Sequence, residues 1–173
     1  FKPDTDTYVF PPVYFPSNPT FEPFRLLFEF YPFMDYVANS LIVTVSTTVI
    51  VTVISMMAAY GISMYPFRGG KLMLLFLLAT RIIPPLSLLL PFYLAVSYLG
   101  LVDTVLSMII ANIYLTYPFA VLIMKAFFDN FPREIIESAI VDGCSRTGAL
   151  FRIVLPVGAP GIASAGIITF LWT

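Results

Sequence analysis

From Asn39 to Tyr65 the chain carries no charged residue, and that segment is longer than the ~20 residues a helix needs to cross a bilayer. Its many Val, Ile and Thr side chains would favour a strand in water. In lipid, however, each backbone N–H and C=O must be satisfied within the segment, and a run of this length does so as a helix. The remainder of the sequence agrees. Of 173 residues, 59% are hydrophobic and 11% charged, with mean hydropathy +0.92, whereas a soluble domain is nearer half apolar and about a quarter charged. One globule cannot hide that surplus, so lipid must be the solvent for much of the surface. The fold class is an all-α integral membrane protein, a polytopic helical bundle.

Composition also removes functions. A net charge of -1 lacks the basic footprint that nucleic acid requires. Histidine is absent and Cys144 is the single cysteine, so no zinc-type spacing, no internal disulfide and no His-based catalytic constellation is available. A phosphate-cradling loop needs Gly, four residues, then Gly-Lys-Ser/Thr. The one Gly-Lys, Gly70-Lys71, has Tyr65 in the place of the first glycine and Leu72 after the lysine. We therefore expect no catalytic residue, no metal and no bound nucleotide on this chain.

Residues 1–36 hold seven prolines among aromatics and are expected to be extended, with one short helix near Phe24–Phe30. A membrane domain is expected over 37–173. Its second span runs Leu72 to Leu99, interrupted by Arg81, Pro84-Pro85 and Pro91, and its third runs Thr104 to Phe128. A fourth apolar segment, from Val157, is cut short at Thr173. With no initiator Met, the chain reads as a piece of a longer protein. Lys and Arg accumulate in cytoplasmic loops, and Arg68 and Lys71 in turn 65–71 match Lys125, Arg133, Arg146 and Arg152 around 129–156. Segment 1–36 and loop 100–103 are poor in bases. The two sets alternate across three spans, which places 1–36 outside and 129–156 in the cytoplasm.

The loop 129–156 is the most informative stretch. Pro132 suits the start of a helix and Glu134 its positive end. Ile135, Ile136, Ala139 and Ile140 form one apolar stripe, and Gly143 can take the positive φ that ends a helix, so a second helix can leave at an angle. A linker lying on the membrane surface would carry a strongly basic face. Here Glu134, Glu137 and Asp142 balance Arg133, Arg146 and Arg152, which favours docking against protein.

These residues resemble the EAA loop of permease subunits of binding-protein-dependent ABC importers. The pattern reads Glu137-Ser138-Ala139-Ile140-Val141-Asp142-Gly143, then Phe151, Leu155-Pro156 and Pro160. Asn39-Ser40, Arg81-Ile82-Ile83-Pro84-Pro85, Pro91-Phe92-Tyr93 and Leu99-Gly100-Leu101-Val102-Asp103-Thr104 resemble the carbohydrate-importing, maltose-permease-like branch. The resemblance implies six spans in the intact subunit and about three and a half here, the first span and the C-terminal end being absent. It implies an ATPase dimer carrying ATP and Mg, a second homologous permease, an extracytoplasmic solute-binding protein, and a bacterial or archaeal plasma membrane. It further implies that the loop docks in a cleft of the ATPase. Glu137 and Asp142 would make polar contacts, Gly143 would bend, Ile136, Ala139 and Ile140 would fill the groove, and Glu134, Phe151, Leu155 and Pro156 belong to the same coupling loop. Other solutes use the same loop, so a non-sugar permease is the alternative; a secondary transporter would show more intramembrane acids.

Arg81 lies about ten residues from turn 65–71, or about 15 Å deep at ~1.5 Å per residue. A charge at that depth beside unwound Pro84-Pro85 is a candidate for the translocation path, and equally for a structural bond to a carbonyl or to a partner's acid. Asn112, Tyr114 and Tyr117 on the third span are candidates to hydrogen-bond sugar hydroxyls, or to join helices.

Overall fold

The computed structural model describes residues 2, 8–12, 14–15 and 18–173; part of the expected extended stretch in 1–36 lies outside them. The chain divides into two compact units, Phe1–Leu41 and Ile42–Thr173. In the first, helix α1 (Glu22–Phe30) occupies the place foreseen for a short helix. The Thr20 hydroxyl accepts from the Glu22 amide at 3.1 Å, and Pro23 sits early enough to leave the ladder intact. Arg25 pairs with Glu22 at 3.2 Å and Glu29 at 3.7 Å on an exposed face, contacts of small energetic weight.

Helix α2 (Phe33–Met64) begins in the first unit and continues through the second. It starts six residues before Asn39, because Pro32 precedes it as a helix start and Asp35 in its first turn suits the positive end. Within the second unit its buried positions include Val43, Thr47, Val51, Ser55, Ala59 and Ser63. That spacing of four builds one stripe of mostly small residues. In lipid there is no hydrophobic drive between helices, and small side chains let backbones approach closely.

The second span differs from expectation. It is two helices, α3 (Gly70–Thr80) and α4 (Pro85–Tyr98), that meet at 95° across residues 81–84. Pro84 biases Ile83 away from helical backbone, and two consecutive prolines remove two donors. Pro85 then opens α4, where a missing N–H costs nothing. Neither half, at about 16 and 21 Å by ~1.5 Å per residue, crosses the ~30 Å hydrocarbon core alone. Pro91 is accommodated inside α4. Gly100 ends α4 at φ +68, with the Gly100 amide on the Ser97 carbonyl and the Leu101 amide on the Val96 carbonyl, the paired closure of a Schellman end.

Helix α5 (Val105–Asp129) is the third span as expected. Thr104 caps it by accepting from the Ser107 amide at 3.2 Å. Among the described residues, α2 and α5 are each long and apolar enough to cross a membrane, with mean hydropathies of 2.2 and 1.8, and the bent pairs α3–α4 and Arg146–Val157 with α9 would bring the spans to four if each counts as one. Then come α6 (Arg133–Val141), α7 (Arg146–Ala149), a π-helical turn (Leu150–Val154), α8 (Leu155–Val157) and α9 (Ala159–Trp172). The continuous helix Arg146–Val157 bends 83° into α9 at Gly158, so the turn into the fourth apolar segment falls two residues beyond Pro156. The π turn, in which the Leu155 amide reaches the Leu150 carbonyl, widens the helix before the proline that cannot donate to it.

Candidate functional site: the loop between α5 and α9

The nine residues of α6 are too few to hold a helix alone. Pro132 is the residue just before it, at φ -60, and Glu134 lies in its first turn. At the far end Gly143 takes φ +86. The Gly143 amide bonds the Ile140 carbonyl at 3.0 Å and the Cys144 amide bonds the Ala139 carbonyl at 2.9 Å, so the glycine corner foreseen from sequence is a complete Schellman end. Ser145 starts the next arm by accepting from the Gly148 amide at 3.0 Å.

The apolar stripe of α6 points somewhere other than expected. Ile136 and Ala139 are each 3% exposed, inside a cluster with Met124 and Phe128 of α5, Met56 and Tyr60 of α2, and Leu150 and Val154. They are thus part of this chain's own core and are not available to fill a groove on another protein. Burying the Ile136 side chain is worth about 1.5–3 kcal/mol, which helps to hold the short helix in place. The outward side of the corner carries Glu134, Glu137, Ile140, Val141 and Asp142, all exposed, with Val141 at 85%. Phe151 and Pro156 are exposed and Leu155 half-buried. Asp142, Cys144, Ser145, Thr147, Phe151 and Arg152 line an open cleft of about 630 Å³ beside the glycine corner.

Sequence reasoning missed what grips the loop. The Tyr60 hydroxyl donates to the Arg146 carbonyl at 3.2 Å and lies 3.3 Å from the Tyr65 hydroxyl. The Arg146 guanidinium sits 4.5 Å over the Tyr65 ring, and Arg133 Nη2 donates to the Ser63 carbonyl at 3.3 Å. These partners are 70 and 86 residues apart, so no local pattern announces them. The contacts bring the end of α2 and Tyr65, where turn 65–71 begins, against the loop 129–156.

Of the path candidates, the structure brings Arg81 and Tyr114 together and leaves the rest apart. Arg81 Nη1 donates to the Leu115 carbonyl at 2.5 Å, the structural alternative weighed from sequence. Next to it, Pro118 cannot donate to the Tyr114 carbonyl, so the wall of α5 is already locally open. Arg81, Tyr114, Thr80 and Pro85 border a hollow of about 30 Å³, which shares Pro85, Tyr114 and Leu115 as lining with an apolar groove of about 420 Å³. Asn112 spends its amide on the Met108 carbonyl at 2.9 Å. Two residues from Tyr114, it lies about 200° around α5. Tyr117, one turn from Tyr114, does not border either hollow.

With α5, the loop and the α9 segment so arranged, residues 31–173 match the model of the binding-protein-dependent transport system inner membrane component. The chain belongs to that family. It is 31% identical over 170 residues to the sulfoquinovosyl glycerol transport system permease protein SmoH of Agrobacterium fabrum, covering 98% of this chain and 60% of that protein. It is 32% identical to the diacetylchitobiose uptake system permease protein DasC of Streptomyces coelicolor, covering 99% and 62%. To the trehalose transport system permease protein SugB of Mycobacterium tuberculosis it is 31% identical, covering 91% and 57%. The chain thus spans about six-tenths of the length of these relatives. In fold it is similar to a chain of a bacterial ABC transporter involved in import of the acidic polysaccharide alginate, with TM-score 0.67 and 22% identity, over 78% of this chain and 46% of that one.

Proposed function

We propose that this chain is the membrane-spanning part of a permease subunit in an ATP-driven importer of a carbohydrate, and that 129–156 is where a separate ATPase drives it. The observation that carries this reading is the division of α6 into two faces. Ile136 and Ala139 are locked in the core, while Glu134, Glu137 and Asp142 stand exposed around a rigid corner. A handle needs both properties, an outer face for a partner and an inner face that transmits load. Family membership and relatives whose names specify glycosides and saccharides support the rest. ATP and Mg would be held by an ATPase dimer, the chain would pair with a second homologous permease, and a binding protein outside would deliver the solute. The setting is a bacterial or archaeal plasma membrane crossed several times, with 1–36 outside and 129–156 in the cytoplasm.

In this mechanism, closure of the ATPase dimer moves α6 as a solid piece, since its inner face interlocks with α2 and α5. The spans then tilt between outward- and inward-open states, and the bent α3–α4 pair and Arg81 line or brace the path. The acids at the outer face call for a basic or amide-rich receiving cleft.

Reversing one of those charges tests the reading. Glu137→Arg in the complete transporter is expected to abolish co-purification of the ATPase subunits and solute uptake, with the permease still reaching the membrane. Undiminished association and uptake would overturn it. Uptake of labelled saccharides against amino acids and ions tests the solute class, and transport of a non-saccharide alone would remove the carbohydrate assignment.

Arg81 offers a separate measurement. Arg81→Met is expected to lower the melting temperature of the purified complex by removing a charge-assisted bond worth about 1.5–3 kcal/mol, with KM for solute near parental. A raised KM with unchanged melting would instead put Arg81 on the solute.

A further inference from the structure

Both arms of the loop are fastened to one end of one helix, and that helix is not a covalent neighbour of the loop. The first residue of α6, Arg133, donates to the Ser63 carbonyl at 3.3 Å. Ser63 belongs to the last turn of α2, where carbonyls have no partner in the helix and the helix end is negative. A guanidinium there satisfies the carbonyl and complements the dipole. The first residue of α7, Arg146, is held twice: its carbonyl accepts from the Tyr60 hydroxyl at 3.2 Å, and its guanidinium covers the Tyr65 ring at 4.5 Å. Tyr60 is 5% exposed, and its ring meets Tyr65 and Phe128 edge-on, each at 5.7 Å between centroids. It has no freedom to follow the loop by swinging; the whole end of α2 must go with it.

Resting on the reading of 129–156 as the driven loop, we propose that Tyr60, Ser63 and Tyr65 form a clamp through which the loop moves α2, and that Tyr60 is a positioning residue for coupling. The stroke reaches the membrane through three helices. Two of them, α5 and α9, continue directly from the loop, and the third, α2, packs against the loop's core and is held to both arms by the clamp. Because α2 is the longest span and lies against α9 through Thr52 and Gly166, moving it with the loop keeps the α2–α9 seam closed while the rest of the path opens.

The test uses the complete transporter, with its ATPase and binding protein, in proteoliposomes. Tyr60→Phe keeps the buried ring and deletes the hydroxyl that holds Arg146. Arg133→Met deletes the hold on Ser63. In the double variant the ATPase subunits are expected to remain bound and to hydrolyse ATP, while solute moved per ATP falls about fivefold or more, the low end of site-to-site coupling. A merely structural contact would lower the amount of assembled complex and leave that ratio alone. Should the double variant fail to assemble, the ratio is read on Tyr60→Phe, which loses a single oxygen. An unchanged ratio overturns the clamp if Glu137→Arg still releases the ATPase in the same preparation. If Glu137→Arg releases nothing, the loop assignment fails first and the clamp with it.

Discussion

Gly161→Ala is expected to cut the yield and melting temperature of the folded permease, and Phe127→Leu in the same chain to restore most of both. A methyl at Gly161 would lie 2.2 Å and 2.3 Å from Cε2 and Cδ2 of Phe127, well inside contact distance. The ring cannot retreat freely, since it packs at 5.3 Å from Phe128 and 6.0 Å from Phe131, both buried. Overpacking of this kind costs about 1–3 kcal/mol. A Cβ added at Gly158, three residues earlier, would lie 3.1 Å from the same ring and 2.7 Å from the Val154 carbonyl oxygen, so α9 leaves its bend through a slot that only glycine fits. Thermal melting in detergent of the parent, the two single variants and the double variant checks this. Non-additivity is the signature, because the residues touch. A Gly161→Ala protein as stable as the parent would show that the α5–α9 approach is looser than described.

The second large effect is expected at the corner of the loop. Gly143→Val should reduce uptake strongly, Gly143→Asn mildly, with ATPase association following the same order. At φ +86 a Cβ would have no atom within 4 Å, so space is not the obstacle. The penalty is in the backbone, about 1–2 kcal/mol for an L-residue in the left-handed region, eased for Asn by its short polar side chain and worse for a β-branched one. That corresponds to about a five- to thirtyfold loss in the population holding the corner. With it go the two closing bonds from Gly143 and Cys144 and the direction in which α7 departs. Equal uptake by the Val and Asn variants would mean that the corner geometry is not what the partner engages.

Much of the architecture was readable without coordinates, for reasons that are local. An uncharged run such as Asn39–Tyr65 has one way to satisfy its backbone in lipid, so α2 was foreseen, and α5 likewise. Gly143 was assigned its turn because positive φ is a property of a single residue. Proline, also a single-residue effect, marked the interruption at 84–85. Its angle was not legible, because 95° depends on what α4 packs against, here α5 beneath the groove. The sequence reading erred where it had to guess which neighbour an apolar face would meet. Helical spacing shows that Ile136, Ala139 and Ile140 share a stripe, and the same pattern serves a partner's groove, a membrane surface or the chain's own core. Ile136 and Ala139 belong to the third. For Arg81 the carbonyl bond was among the alternatives, and Leu115 was its unforeseeable address.

By itself, then, the sequence determined the solvent, the helices, the places where they stop, and a loop whose residues match a family. Each follows from energies that act within a few residues: desolvation of the peptide group, the missing N–H of proline, the missing Cβ of glycine, the attraction of bases to one side of a membrane. Tertiary structure alone decided which face of α6 is inside, that Tyr60 and Ser63 hold residues 86 and 70 positions away, and that Gly161 makes room for Phe127. Those are contacts between segments distant in the chain. Their energies depend on distances that no spacing in the sequence encodes.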